Sequence, residues 1–247
     1  MIRVIVVGAK GRMGAMACDE LGRSREFHVA ARIGRGDDLA GAIEGENPDA
    51  VLELSTPASA GANALVSLER AVPVVVGATG LKDAEVEAIR AAAHEVGAMI
   101  VPNFAIGAVL MMRLSALAAR WLPDAEIVET HHERKADAPS GTALRTAELI
   151  AEARRKSRTY LPDPLLKIEG ARGGRHRDVP IHSLRLPGHV AHQEVVFGAP
   201  GESLTIRHDA IDRTCYAPGI ELALRRVLRL EQLEIGLDAA LFEGVNA

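Results

Sequence analysis

The chain has 247 residues, 48% hydrophobic and 25% charged, with a net charge of −4. That is the make-up of a soluble globular protein, long enough for one large domain or two small ones. A pI of about 6.2 and only 3% aromatic residues weigh against a general binder of nucleic acid or anionic membrane, which needs cationic surface and stacking rings. Local basic clusters (Arg154, Arg155, Lys156 and Arg158; Arg172, Arg175 and Arg177) read as solvated faces or loops.

The two cysteines, Cys18 and Cys215, stand at opposite ends of the chain with no cysteine or histidine at metal-ligand spacing. No metal site is expected, and both read as buried, reduced thiols of an intracellular protein. The N-terminus runs straight into a strand without a cleavage site. The longest apolar run, Phe104 to Met112, is far short of a membrane span. A cytoplasmic protein is expected.

Ile2 to Val7 is the near-continuous apolar run of a strand buried on both faces. Gly8, Ala9, Lys10, Gly11, Arg12, Met13 and Gly14 follow, and then Met13, Met16, Ala17 and Leu21 share one helical face. Strand, glycine loop and helix in that order predict a dinucleotide-binding βαβ unit. Gly8 would allow the tight turn, Gly11 the approach of pyrophosphate, and Gly14 close helix–strand packing. The spacing is GxxGxxG rather than GxGxxG; alone, it would also fit a flexible turn.

The second strand, Phe27 to Ile33, leads to Gly34-Arg35-Gly36, with no acid until Asp37. NAD sites usually offer an acid there to the ribose. Arg32 or Arg35, with Lys10 and Arg12, suits a 2′-phosphate instead, which favours NADPH over NADH. The alternative is that these arginines are surface residues and Asp37 serves the ribose.

Further strands are predicted at Ala50 to Leu54, Val72 to Val76 and Met99 to Val101. Their exits, Ser55-Thr56-Pro57, Gly77-Ala78-Thr79-Gly80 and Pro102-Asn103-Phe104, are either cofactor loops or plain strand-to-helix turns. Asp83 to Val96 reads as a helix with Glu85 and Glu87 near its positive end. The first hundred residues therefore alternate strand and helix, as a parallel α/β sheet does.

Beyond them come a helix at Val109 to Trp121, a strand at Ala125 to Thr130, another helix after Thr142, and a loop from Tyr160 to Pro180. Strands follow at Ile181 to Leu186, Val190 to Phe197 and Ser203 to His208 without intervening helices. A second α+β domain with a mixed or antiparallel sheet follows from that order. Alternation (Val195 and Phe197; Leu204 and Ile206) gives each strand an apolar face. Helices can cover one face of this sheet, leaving the other for self-association. An amphipathic helix from Pro218 to Leu230 precedes Leu233 to Leu237, a segment able to rejoin the first sheet.

The densest chemistry lies in Glu129-Thr-His-His-Glu-Arg-Lys-Ala-Asp-Ala-Pro-Ser-Gly-Thr142, where His131, His132 and Lys135 precede Ser140, Gly141 and Thr142. Ser140 is a good N-cap, and the uncompensated N–H groups of a helix start make an anion cradle. A histidine suits proton transfer and a lysine suits carboxylate pairing. Alone, the cluster fits a solvated charged loop equally well.

Taken together, these motifs resemble the dihydrodipicolinate (4-hydroxy-tetrahydrodipicolinate) reductase family over essentially the whole chain. The most specific element is Glu129-x-His-His-x-x-Lys-x-Asp-Ala-Pro-Ser-Gly-Thr142. Gly8-x-x-Gly-Arg-Met-Gly14, Gly77-x-Thr-Gly80, Pro102-Asn-Phe104 and Gly201-Glu-x-Leu-x-Ile-x-His208 follow in the family's order. Asn103 to Met112 and Val190 to Glu194 are most similar to the actinobacterial branch.

The resemblance implies a Rossmann domain over 1–103 and 213–247, and a substrate-binding domain over 104–212 whose sheet assembles a homotetramer. The implied reaction is reduction of 4-hydroxy-tetrahydrodipicolinate by NADPH or NADH, with loss of water, on the diaminopimelate route to lysine. His131 matches the proton donor, and Lys135 the lysine of acid catalysis and substrate charge. His132, Gly141 and Thr142 match substrate-carboxylate contacts, beside Ser140 of the cradle. Gly8 through Met13, Gly77, Ala78 and Thr79, and Val101, Pro102, Asn103 and Phe104 match cofactor contacts. Arg35 joins them for the 2′-phosphate. Two departures stand out: Ala78 replaces a threonine common in the family, and the acid after strand two is missing. The second weighs against dual use of NADH and NADPH.

Overall fold

The structure is a computed structural model, and it describes residues 1–154 and 165–244. Arg155, Lys156 and Arg158 of the first basic cluster, and the part of the predicted loop before Leu165, lie outside the described residues. The chain divides into two compact units, Met1–Ile106 with Arg213–Ala247, and Gly107–Asp212.

In chain order the first unit runs β1 (Ile2–Val7), α1 (Arg12–Arg23), β2 (Phe27–Ile33), α2 (Leu39–Glu46), β3 (Ala50–Glu53), α3 (Pro57–Leu68), β4 (Val74–Val76), α4 (Asp83–Ala92) and β5 (Ala98–Ile100). The second unit follows with α5 (Ile106–Ala119, its first residue in unit one), β6 (Asp124–His131), α6 (Gly141–Ala153), β7 (Gly174–His176), β8 (Val179–Arg185), β9 (Ala191–Ala199) and β10 (Glu202–Ala210). The chain then returns to the first unit through a 3₁₀ turn (Arg213–Tyr216), α7 (Ala217–Val227), β11 (Leu233–Ile235) and α8 (Asp238–Phe242).

The first unit is a six-stranded sheet in the order β11-β5-β4-β3-β1-β2, with every pairing parallel. Its strands read as unbroken apolar runs because both faces are covered. Ile5, Val7, Val51, Val74, Val76 and Ile100 pack in one core with Leu39 and Ile43 of α2, Ala60, Ala64 and Leu68 of α3, and Ile89 of α4. The alternate residues Val4, Val6, Leu52, Val75 and Met99 are equally buried, on the face met by α1 and α7. The discontinuous path is thereby closed: β11 pairs with β5, as the Leu233 to Leu237 segment promised.

Sequence and structure differ at several element ends. The fourth helix stops at Ala92 rather than Val96, because the turn beyond it puts Glu95 at φ 65°. The short α2 is absent from the sequence reading; it is held by Asp38, whose side chain accepts from Gly41 N, and by Asn47 in the left-handed conformation. Of α1's apolar residues, Ala17 and Leu21 are buried with Cys18, while Met13 and Met16 are half-buried. Cys215 is half-buried rather than buried, since it sits in the 3₁₀ turn.

The second unit is a five-stranded mixed sheet in the order β10-β9-β6-β8-β7. The β6–β8 pairing is parallel, whereas β6–β9, β9–β10 and β7–β8 are antiparallel. Ile127, Ile181, Val195 and Phe197 form its core with Ala143, Ala147 and Ile150 of α6. The opposite face carries Glu126, Val128, His182, Glu194, Val196, Arg207 and Asp209, by strand parity. Two expectations are corrected here. Residues Gly174–His176 of the predicted loop form an edge strand, and Leu204 is 40% exposed because β10 is the opposite edge. No helix among the described residues is long and apolar enough to cross a membrane.

The return of α7 onto the first sheet depends on close backbone contact: a Cβ on Gly219 would fall 1.9 Å from the Phe104 carbonyl oxygen. Gly219→Ala is therefore expected to lower unfolding stability by at least about 2 kcal/mol in urea melts. Gly22→Ala, where an added Cβ meets nothing within 4 Å, should be neutral or gain roughly 0.5–1 kcal/mol from helix propensity.

Candidate active site

Alternation along β6 places Ile127, Glu129 and His131 on its inward face. Ile127 joins the core, and Glu129, with no exposed surface, continues the same row. A carboxylate so buried must be hydrogen-bonded and charge-compensated. Arg185, opposite His131 in the parallel β6–β8 register, supplies both: its Nη1 and Nη2 each donate to Glu129 at 2.9 Å. His131 Nδ1 lies 2.5 Å from Glu129 Oε2, and Ser140 N donates to Oε1 at 3.2 Å. Burial pushes the Glu129 carboxyl up, but hydrogen bonds from His131, Arg185 and Ser183, with the charge of His131, outweigh it and bring the pKa down to about 2.

The same network holds the loop after β6. Arg185 Nη2 also donates to the Asp137 carbonyl at 2.7 Å. Lys135 Nζ donates to both carboxylate oxygens of Asp137 at 2.8 Å, and that hydrogen bond holds the Asp137 carboxyl below its usual range against partial burial. The ammonium expected for a substrate carboxylate is thus partnered within the chain. His132 is half-buried beside it.

Helix α6 starts where the sequence placed it, with Ser140 as N-cap accepting from Ala143 N at 3.2 Å. Ser140 is buried, its hydroxyl committed to the cap and its N–H to Glu129. Gly141 is exposed, with open space where a Cβ would stand, and Thr142 is half-buried. The first turn is braced from below: Thr146 Oγ1 donates to Thr142 O at 2.7 Å, and Gln193 Nε2 donates to Thr146 Oγ1 at 2.7 Å. Glu129 opens the motif in the sequence but is given no role there, and Arg185, Gln193 and Thr146 have no part in the sequence reading of the site. Glu129 was accessible there, since two residues before His131 on a strand is the same face; the other three come from remote segments. Elsewhere in this unit, His208 of the closing motif packs against Gly107, where a Cβ would come 2.5 Å from the ring; burial lowers the His208 pKa.

The second candidate site is the carboxyl edge of the parallel sheet. Leu54 N donates to Val7 O, Gly77 N to Glu53 O and Val101 N to Val76 O, so the exits of β1, β3, β4 and β5 stand side by side. Gly8 has φ 78°, and a Cβ there would fall 2.6 Å from Leu54 O; a Cβ on Gly14 would fall 2.2 Å from Gly8 O. Only backbone fits at both points. Gly11 is the N-cap of α1 and supplies no side-chain cap, so the N–H groups of that helix start face an open, exposed loop. These features fit a pyrophosphate. Phe104 packs on Gly77, whose Cβ would come 2.5 Å from its ring; Ala78 is buried, and Asn103 Oδ1 caps Ala105 N at 2.9 Å.

At the end of β2 the alkyl chain of Lys10 lies against Gly34, 3.2 Å from its Cβ position, and Arg35 is exposed next to it. Arg32 belongs to another neighbourhood, near enough to Cys18 to oppose the rise in thiol pKa that burial causes. Asp37 folds back so that Oδ2 accepts from Gly34 N at 2.7 Å. An acid therefore does stand at the end of β2, the placement that the alternative reading of Asp37 requires. Among the described residues no group of three or more His, Cys, Asp or Glu is arranged to hold a metal.

Because the Glu129 carboxyl is depressed from 4.5 to about 2, its contribution is complete above the unfolded pKa of about 4.5 and is lost as pH falls through about 2. The linked stability is on the order of 3 kcal/mol. Urea melts are expected to lose that amount between about pH 4.5 and 2, and Glu129→Gln should flatten that part of the profile.

The family model "Dihydrodipicolinate reductase, N-terminus" matches residues 2–104, and "Dihydrodipicolinate reductase, C-terminus" matches residues 107–241. A 4-hydroxy-tetrahydrodipicolinate reductase of Legionella pneumophila (strain Lens) is 44% identical, covering 96% of this chain and 98% of the relative. One from Geobacillus thermodenitrificans is 42% identical with the same coverage. A dipicolinate-bound dihydrodipicolinate reductase from Paenisporosarcina sp. TG-14 superposes with a TM-score of 0.88 at 35% identity, over 96% of this chain and 98% of that one. With both halves matched by their models and relatives similar along their full length, the chain belongs to the dihydrodipicolinate reductase family.

Proposed function

We propose that this protein catalyses its relatives' reaction: the nicotinamide-dependent reduction of 4-hydroxy-tetrahydrodipicolinate to tetrahydrodipicolinate, with loss of water, on the diaminopimelate route to lysine. The observation that carries the reading is His131, held through Nδ1 by buried Glu129, in one short segment with Lys135 and the open start of α6. The dipicolinate bound by the Paenisporosarcina reductase is a planar dicarboxylate of the kind such a site would hold.

When bound, the reduced nicotinamide supplies the hydride. What remains for the chain is to hold two carboxylates and deliver one proton. The helix start at Gly141 and Thr142 offers N–H donors and the positive end of a dipole to one carboxylate, with His132 at its side. Lys135 takes another, exchanging its contact with Asp137 for the substrate. His131 gives up a proton from Nε2, the ring nitrogen that Glu129 does not hold. In the other unit, Gly8, Ala9, Lys10, Gly11, Arg12 and Met13 would cradle the pyrophosphate. Gly77, Ala78, Thr79, Val101, Pro102, Asn103 and Phe104 would line the rest of the cofactor. We propose NADPH as the preferred form, its 2′-phosphate met by Lys10 and Arg35; Asp37 at Gly34 gives NADH a ribose partner and keeps it usable. Residues 1–103 with 213–247 would serve the cofactor, and 104–212 the substrate. The open face of the second sheet would assemble a homotetramer of a cytoplasmic enzyme.

The test is loss of nicotinamide absorbance, with substrate generated in place from pyruvate and aspartate semialdehyde by the preceding synthase. Rapid substrate-dependent oxidation is expected, faster with NADPH. Absence of oxidation with either cofactor, from folded protein, would exclude the reading. His131→Ala should cut kcat by roughly 10²–10⁴ with NADPH binding unchanged. Arg35→Ala should raise the KM for NADPH roughly 10-fold and leave that for NADH in place.

A further inference from the structure

We infer that Glu129 and Arg185 are the positioning pair of His131, fixing its ring so that Nδ1 always carries hydrogen and Nε2 alone exchanges a proton with substrate. The inference rests on the reading of His131 as proton donor.

Geometry carries it. Glu129 and His131 are two residues apart on one strand face, and Nδ1 is 2.5 Å from Oε2. Arg185 donates to both carboxylate oxygens, and Ser140 N donates to Oε1. With its pKa at about 2, Glu129 is ionised at any working pH. An ionised carboxylate only accepts hydrogen bonds, so the His131 nitrogen facing it must be the N–H donor.

Arg185 has a separate part. Its guanidinium is always charged and matches the carboxylate one for one, so Glu129 can be fully buried beside the ring without being an isolated anion. Through Nη2 on Asp137 O the same side chain ties down the loop that carries Lys135. The pair thus sets the ring and the lysine loop from one anchor, yet neither member has to touch substrate.

In the proton step the N–H bond at Nε2 breaks and the ring keeps the electron pair. The proton goes to the substrate atom bearing the electrons left by hydride addition. The ring returns as the neutral Nδ1–H tautomer, and solvent restores the Nε2 proton. A ring free to flip or change tautomer would present the wrong nitrogen for part of the time.

Solid-state ¹⁵N spectra of the full-length, histidine-labelled protein at a pH where the ring is neutral read the tautomer directly, with His131→Asn assigning the signal. The wild type is expected to show His131 as Nδ1–H. Glu129→Gln should convert much of it to Nε2–H and lower kcat at least about 10-fold, by less than His131→Ala does, with the Kd for NADPH within twofold. A purely structural role for Glu129 would not move the tautomer. Arg185→Lys, which keeps the charge and loses the fork, should retain Nδ1–H with a smaller loss of kcat.

Wild-type His131 found as Nε2–H overturns the inference even if Glu129→Gln fails to fold. A folded Glu129→Gln with unchanged tautomer and kcat overturns it as well. If the wild type shows Nδ1–H but never oxidises NADPH with substrate, the functional reading fails and the catalytic role of the pair fails with it.

Discussion

A carboxylate with no exposed surface organises the second unit. Glu129 would be a costly ion to bury alone, and the structure answers with a guanidinium fork, an imidazole and a backbone N–H. Each partner comes from a different place: the end of β8, the end of β6 and the start of α6. Satisfying one charge therefore brings three chain segments to a common point. The segment between His131 and Ser140 has no regular structure, yet the residues at both of its ends are anchored on the same side chain.

The first unit solves a different problem, the close approach of backbone to backbone at the exits of its strands. Here the governing constraint is the absence of side chains. A Cβ on Gly8 would strike the Leu54 carbonyl, and one on Gly14 would strike Gly8 itself. Strand β1, the exit of β3 and the start of α1 are packed so closely that the N–H groups of the helix start open at the carboxyl edge of the sheet. The family's nucleotide chemistry needs that opening. The charges around it, Lys10, Arg35 and the folded-back Asp37, are exposed additions on an apolar frame, and substitution there leaves the core undisturbed.

Much of this was legible along the chain. Apolar runs of strand length separated by helical patterns announce a parallel sheet, since both faces of such strands are buried. Ser140 before an apolar helical repeat announced the start of α6, because capping is a local matter of one side chain and the N–H three residues on. The glycines after β1 were informative in part for the same reason: Gly14 is limited by Gly8, six residues away, whereas the clearance at Gly8 is set by Leu54 at the exit of β3. Element ends were less secure. Glu95 in the left-handed region stops α4 early, and β10, lying at an edge, leaves Leu204 in solvent although its alternation matches Val195.

The sequence alone determined the class of fold, the family resemblance and the short segments that hold His131, Lys135 and the start of α6, because these depend on local periodicity and on spacing within a dozen residues. Tertiary structure decided what those residues face. Arg185 lies more than fifty positions from Glu129 and reaches it only through the parallel β6–β8 register. Gln193 supports Thr146 only because β9 runs beside β6. Asp37, only the alternative for the ribose position by its place in the chain, returns to Gly34 through a turn. Side-chain partners across a sheet follow from register, and register is settled by burial of whole strand faces, a collective property that no short stretch of sequence contains.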